Sequence, residues 1–137
     1  MTFGAGLAGE DYCYLTTTGR VSGEPHEIEI WFGLDLSQTA PRPLGRGVTL
    51  YMLSGGGDRS DWVRNLLREP SVTVRIGGVT QAGRARVVEE PSEDERARRL
   101  LFDKYSKSYG GDLEDWRRTA LPIAVDLEAT GRRRPAS

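Results

Sequence analysis

Three segments of the chain carry residue types that could do chemistry. The richest is 53–70, LSGGGDRSDWVRNLLREP. A strand ends in Ser54, the glycines Gly55, Gly56 and Gly57 follow, and Ser60 and Asp61 open a helix with Trp62 and Asn65 in its first turns. Successive glycines let backbone N–H groups converge on an oxyanion. A helix start adds unpaired N–H donors and a partial positive charge, and Arg59 adds a full one. This layout suits a phosphate. It is not a Walker A loop, because no Lys-Ser/Thr follows the glycines, and it is not the dinucleotide fingerprint. The glycines equally suit a plain turn. Gly56 is expected to need φ > 0, so a β-branched residue there should do harm.

The second segment is 15–25, LTTTGRVSGEP, in which a strand and a tight turn bring Arg20 and Ser22 forward. On spacing alone, an ordinary hairpin with a solvated arginine is the simpler reading. The third is 105–116, YSKSYGGDLEDW. Tyr105, Tyr109 and Trp116 lie about a helix break and suit either the wall of a substrate cavity or core packing. His26, after Pro25, reads as a surface residue. Cys13, inside a strand, reads as a small buried hydrophobe. Glu27 and Glu29 read as a solvated strand face, and the arginines at 132–134 as a solubilising tail.

The elements that must position these residues follow from periodicity. Residues 12–17 are aromatic and β-branched and read as a strand. Residues 27–32 alternate, with Ile28, Ile30 and Phe32 on one face and Glu27, Glu29 and Trp31 on the other. Residues 33–47, with two prolines and three glycines, read as a loop. Strands are expected at 48–53, 72–76, 79–88 and 123–127, with Gly77-Gly78 as a hairpin turn. Helices are expected from Ser60 to the Pro70 stop, from Pro91 onward with an acidic first turn, and at 112–119. About six strands with short inserted helices give a mostly-β or α+β domain. An antiparallel barrel fits them better than a doubly wound sheet.

Composition bounds the partners. A length of 137 residues suits one domain: a flexible lead over 1–11, a domain over 12–127 and a disordered tail over 128–137. A net charge of -1 argues against nucleic acid. One cysteine and one histidine cannot make a Cys/His zinc site. No apolar run reaches membrane-spanning length, and the opening residues lack the features of a signal peptide. A cytoplasmic protein is expected. Half-exposed strands such as 27–32 would allow a homodimer.

The residues quoted above also carry a resemblance. Leu15-Thr16-Thr17-Thr18-Gly19-Arg20 with Ser22-Gly23 resembles the opening strand and turn of the deazaflavin-dependent nitroreductase family. Ser54-Gly55-Gly56-Gly57 with Trp62, Asn65-Leu66 and Pro70 resembles its cofactor loop and helix. Residues 72–88 resemble its strand–GG–strand hairpin, and Leu121-Pro122-Ile123 its closing strand. The resemblance covers about residues 12–127. It implies a split β-barrel of the FMN-binding type and the cofactor F-420, an 8-hydroxy-5-deazaflavin with a phosphate and an oligoglutamate tail. It further implies hydride transfer from reduced cofactor to a small electron acceptor such as a quinone or nitroaromatic. Carried over by motif, Ser54, Gly55, Gly56, Gly57 and Arg59 would hold the phosphate, Trp62 and Asn65 would support that loop, and Arg20 and Ser22 would lie near the tail or ring. Many members have a lysine where this chain has Gly55, which leaves the phosphate charge to Arg59. Some have Tyr-Pro-Pro-Tyr where this chain has Tyr105-Ser-Lys-Ser-Tyr109, with a spacing one residue longer. An FMN-dependent reductase on the same barrel and a non-catalytic cofactor- or lipid-binding protein are the alternatives.

Overall fold

The computed structural model describes residues 5–36, 48–109 and 111–128. The expected tail and most of the loop at 33–47 lie outside these residues. Among the described residues, seven strands form one antiparallel sheet: β1 (Cys13–Thr18), β2 (Pro25–Ile30), β3 (Gly33–Asp35), β4 (Thr49–Ser54), β5 (Ser71–Ile76), β6 (Val79–Val87) and β7 (Leu121–Leu127). Their order is β2-β1-β5-β6-β7-β4-β3. The helices are α1 (Ala5–Ala8), α2 (Asp61–Arg68), α3 (Pro91–Tyr105) and α4 (Glu114–Thr119), with a 3-10 turn at Gly57–Arg59.

The order of the strands dictates the shape. β2 and β3 are opposite edges of the sheet, yet only Trp31 and Phe32 separate them in sequence. Six strand intervals of about 4.7 Å would put flat edges roughly 28 Å apart, whereas three peptide steps span about 10 Å. The sheet must therefore curl until its edges meet at residues 31–32. Pro25 is tolerated in β2 because β2 is an edge strand. Gly77 and Gly78, at φ 53° and 86°, make the tight turn between β5 and β6.

The curled sheet buries side chains on both faces along part of its length. Inside, Leu15, Leu50, Met52, Val74, Ile76, Ile123 and Val125 form the main core, joined by Val63 and Leu66 of α2. Phe32 is fully buried there, and Ile28 and Ile30 pack against the cluster. Outside, Tyr51, Leu53 and Ala124 pack under Ala97, Leu101 and Tyr105 of α3 and Leu113 before α4. This explains why every residue of β4 is buried. Beneath α3, Arg86 makes a two-pronged contact with Glu93, at 2.8 Å on each arm, and its Nε donates to Asp126 at 2.8 Å. Burial opposes charge on Glu93, but the Arg86 and Tyr51 hydrogen bonds win and hold its carboxyl below the ordinary range.

The closing corner is fastened by α3. The Phe32 N–H donates to Tyr105 Oη at 3.0 Å. That hydroxyl lies 2.8 Å from the Asp11 carbonyl and 3.1 Å from the Phe32 carbonyl. Lys104 Nζ also donates to the Phe32 carbonyl, at 3.0 Å, and lies over the Phe32 ring. Before β1, Asp11 is thus tied to the domain, and Leu7 and Ala8 pack on the core.

Two outcomes differ from the sequence expectation. β3 has only three residues and falls in the stretch read as a loop, because a three-residue strand has no readable period. Trp31 leaves the strand alternation at the corner and stacks on Tyr105, with ring centroids 4.2 Å apart and planes within 3°. Glu27 and Glu29 do face outward, toward Arg75 and the Tyr14 hydroxyl. They charge the edge on which a homodimer by strand pairing would depend.

The buried corner gives stability a definite pH dependence. Burial pushes the Lys104 ammonium down from its ordinary 10.5 to about 8 and the Cys13 thiol up from 9.0 to about 12. Between pH 8 and 9 the unfolded chain keeps a proton on Lys104 that the folded chain has released, so stability should rise with pH. The stabilisation is lost as pH falls through about 8. From about pH 8 upward, ionisation of Cys13 in the unfolded chain opposes it in part. Urea unfolding should show a rise of about 1 kcal/mol from pH 8 to 9, absent in Lys104→Met. A flat profile in the wild type would show that the Lys104 charge is not desolvated.

Candidate cofactor site

The β1–β2 hairpin and the first turns of α2 enclose a cavity of about 500 Å³. Arg20, Ser22 and His26 reach it from the hairpin, Asp61, Trp62 and Asn65 reach it from α2, and Val21 and Ile28 supply apolar surface. The hairpin is closed by Gly19 N–H to the Glu24 carbonyl at 2.8 Å and Gly23 N–H to the Gly19 carbonyl at 2.9 Å. Gly23 has φ 76°. A Cβ on Gly19 would lie 2.7 Å from His26 Nε2 and 2.8 Å from Ser22 Oγ. Glycine at this position is what lets those two polar groups close together over the backbone. Ser22 Oγ accepts the Glu24 N–H at 3.1 Å, which leaves its own proton to donate.

Asn65 binds the two sides of the cavity together. Its Oδ1 accepts from the Arg20 backbone N–H at 3.1 Å and from Arg20 Nη1 at 2.9 Å. Its Nδ2 donates to Thr17 Oγ1 at 3.2 Å. With 5% exposure, its amide cannot turn to water instead. The guanidinium is completed by Asp61, whose Oδ1 is 3.1 Å from Arg20 Nη2. Glu27, the second carboxylate of the wall, is paired with Arg75 at 3.1 Å.

The glycine loop is ordered by its serines. Ser54 Oγ donates to the Gly57 carbonyl at 2.9 Å and meets Ser60 Oγ at 3.0 Å, across the step into α2. Gly57 has φ 65°. Gly56 has φ -84°, so the expected need for φ > 0 belongs to Gly57. Gly56 is constrained by space, since a Cβ there would lie 2.5 Å from Ser60 Oγ. Gly55, Gly56 and Arg59 are exposed.

The structure therefore brings Arg20, Ser22, Trp62 and Asn65 to one cavity. Ser54, Gly55, Gly56, Gly57 and Arg59 adjoin the start of α2 but lie outside the cavity wall. Tyr105, Tyr109 and Trp116 also lie outside it and converge on Trp31. Tyr109 and Trp116 meet that ring edge-on, at 5.6 and 5.5 Å. Tyr105 is 4% exposed and its hydroxyl is spent on the barrel corner. Tyr109 is 48% exposed. Sequence reasoning missed His26 and Asp61 in the cavity and Trp31 at the centre of the aromatic group. His26 was detectable: it precedes Ile28 by two residues on a strand, and the hairpin register sets it opposite Thr17.

A curled seven-stranded antiparallel sheet with a few short helices is a split-barrel α+β fold. The chain belongs to the family described as F420H(2)-dependent quinone reductase, which matches residues 1–128. Among solved structures, it is similar to an F420-H2 dependent reductase (21% identity, 85% of this chain and 94% of that one, TM-score 0.59). It is similar also to a conserved hypothetical protein from Mycobacterium tuberculosis (19% identity, 94% and 82%, TM-score 0.63). A third is the haem storage protein of Vibrio cholerae (14% identity, 88% and 83%, TM-score 0.60). At these identities the structural likeness establishes the fold alone. No curated protein matches the sequence.

Two conservative variants separate the roles of Asn65 and Tyr105. Asn65→Leu strands the Arg20 backbone N–H and leaves the guanidinium to Asp61 and solvent, and Tyr105→Phe strands the Phe32 N–H. Each should lower stability by about 1–3 kcal/mol in urea. Amide hydrogen exchange should show Arg20 exposed in Asn65→Leu and unchanged in Tyr105→Phe. Equal protection of Arg20 in both would mean that Asn65 does not hold the hairpin.

Proposed function

We propose that this chain is a reductase that binds coenzyme F-420 and passes a hydride from the reduced deazaflavin to an electrophilic small molecule such as a quinone or nitroaromatic. The observation that carries the reading is the cavity. In a chain of an F-420-dependent family, the Arg20 guanidinium, held by Asn65, and the Ser22 hydroxyl meet beside His26 and a helix start, and these donors suit an oxyanion-bearing ligand. A polyanionic tail has a use for it. When bound, the cofactor supplies the hydride, so the protein's task is placement more than acid–base catalysis.

Arg20 and Ser22 would bind the tail within the cavity. Gly55, Gly56 and Arg59 would hold the phosphate, in a loop whose shape Ser54 and Gly57 maintain. Trp62 would supply the apolar wall between the two. Tyr109 and Trp116, with Trp31, would border the acceptor, and the buried Tyr105 would fix Trp31 from behind. Exposure of Tyr109 and partial exposure of Trp116 support that placement.

Absorbance titration should show saturable binding of F-420 and none of FMN, followed by loss of the reduced-cofactor signal on adding menaquinone or a nitroaromatic. Saturation with FMN instead would favour a flavin reductase, and binding without turnover would favour a carrier. Replacing Arg59 with Ala should weaken F-420 about tenfold to a hundredfold, as loss of a charge-assisted hydrogen bond of about 1.5–3 kcal/mol requires. A fragment without the phosphate should lose little. Unchanged binding of the intact cofactor would remove Arg59 from the phosphate site.

A further inference from the structure

The cavity holds an anion of its own. Arg20 is fixed at one guanidinium nitrogen, Nη1, by the buried Asn65 amide at 2.9 Å. Its other terminal nitrogen, Nη2, faces the Asp61 carboxylate at 3.1 Å. The two partners are unequally secured. The Arg20 side chain is 30% exposed and the Asp61 side chain 86% exposed. An exposed ion pair of this kind is weak and easily exchanged, while the Asn65 contact keeps the guanidinium in place when its carboxylate partner leaves. Ser22 Oγ and His26 Nε2 close over Gly19 on the same wall. They offer a hydroxyl and a ring nitrogen to whatever occupies the space before Arg20.

We propose that the Asp61 carboxylate is a built-in occupant of an oxyanion site on Arg20, and that a phosphate or carboxylate group of a ligand entering the cavity takes its place. The cationic edge of Arg20 is then preorganised but covered, so that uncharged molecules gain nothing from it and an oxyanion must compete for it. Asp61 thereby sets the threshold of affinity for anions, and Ser22 and His26 add donors that favour the incoming group over the residue it displaces. The site shares its cavity with the cofactor reading, and only the identity of the incoming anion rests on that reading.

The test is calorimetric titration of the full chain at low salt with two probes, inorganic phosphate and γ-glutamylglutamate, in wild type and Asp61→Asn. Asp61→Asn should bind at least one probe about two- to fivefold more tightly, the range expected for release of an exposed ion pair. The probe that gains identifies the source of the oxyanion. An uncharged deazaflavin fragment lacking the phosphate should bind both proteins alike. Asp61→Ser, which also removes the charge but keeps a polar residue at the helix start, should reproduce the gain and provides a second variant should Asp61→Asn fold poorly. No gain for either probe, or an equal gain for the uncharged fragment, would overturn the proposal. If F-420 fails to bind wild type while phosphate binds Asp61→Asn more tightly, the cofactor reading falls and the oxyanion site stands. If F-420 binds and neither probe gains in the variants, the reverse holds.

Discussion

The side-chain amide of Asn65 is the point at which three parts of the chain meet. It takes two donors from Arg20 in the hairpin turn and gives one to Thr17 at the end of β1. Because it is buried, the Arg20 backbone N–H and the Thr17 hydroxyl would otherwise lose their partner away from water, and an unsatisfied buried donor costs about 1–3 kcal/mol. The hairpin turn is held by its own glycine hydrogen bonds, but nothing in those fixes its angle to α2. The amide does, and the cavity exists as the space left between them. Leu66, the next residue of α2, lies in the main core. The site is therefore registered directly against the barrel interior.

A second constraint acts at the other end of the β1–β2 hairpin. Joining the two sheet edges through Trp31 and Phe32 leaves backbone groups at a corner where no strand continues the ladder. The Tyr105 hydroxyl and the Lys104 ammonium meet them. This assigns Tyr105 a structural position that its neighbours do not share. Tyr109 and Trp116 meet Trp31 edge-on, while Tyr105 stacks on its face and holds the corner. One aromatic group thus serves both the closure of the fold and the surface beside it.

Much of the fold was legible in the sequence because it rests on period and turn chemistry. The alternation of 28, 30 and 32 located the core face, the Gly77-Gly78 pair located a hairpin, and Pro91 with its acidic neighbours located the start of α3. The loop with Ser54 and Gly57 was legible as a strand-to-helix turn. What was illegible depends on pairing between distant segments. The partners of Asn65 are 45 and 48 residues away, and nothing local in Asn65-Leu66-Leu67 distinguishes a bridging amide from a polar surface residue. Arg20 read as solvated for the same reason, and His26 is exposed, as it read, while the closure of the hairpin over Gly19 also sets it in the cavity wall. The Arg86, Glu93 and Asp126 cluster left no sequence signal, since charged residues in a strand and a helix start each look exposed when taken singly.

The central claim is that the space between the β1–β2 turn and α2 receives the anionic part of the cofactor. The most direct measurement is a heteronuclear NMR titration of isotope-labelled protein with unlabelled F-420, following backbone amides and the side chains of Arg20 and Asn65. The account predicts saturable shifts at Gly19, Arg20, Ser22 and His26 and at Asp61, Trp62 and Asn65, with slower exchange of the Arg20 guanidinium protons. Saturable shifts confined to Tyr109, Trp116 and the α3–α4 surface, with Arg20 and Asn65 unmoved, would contradict it.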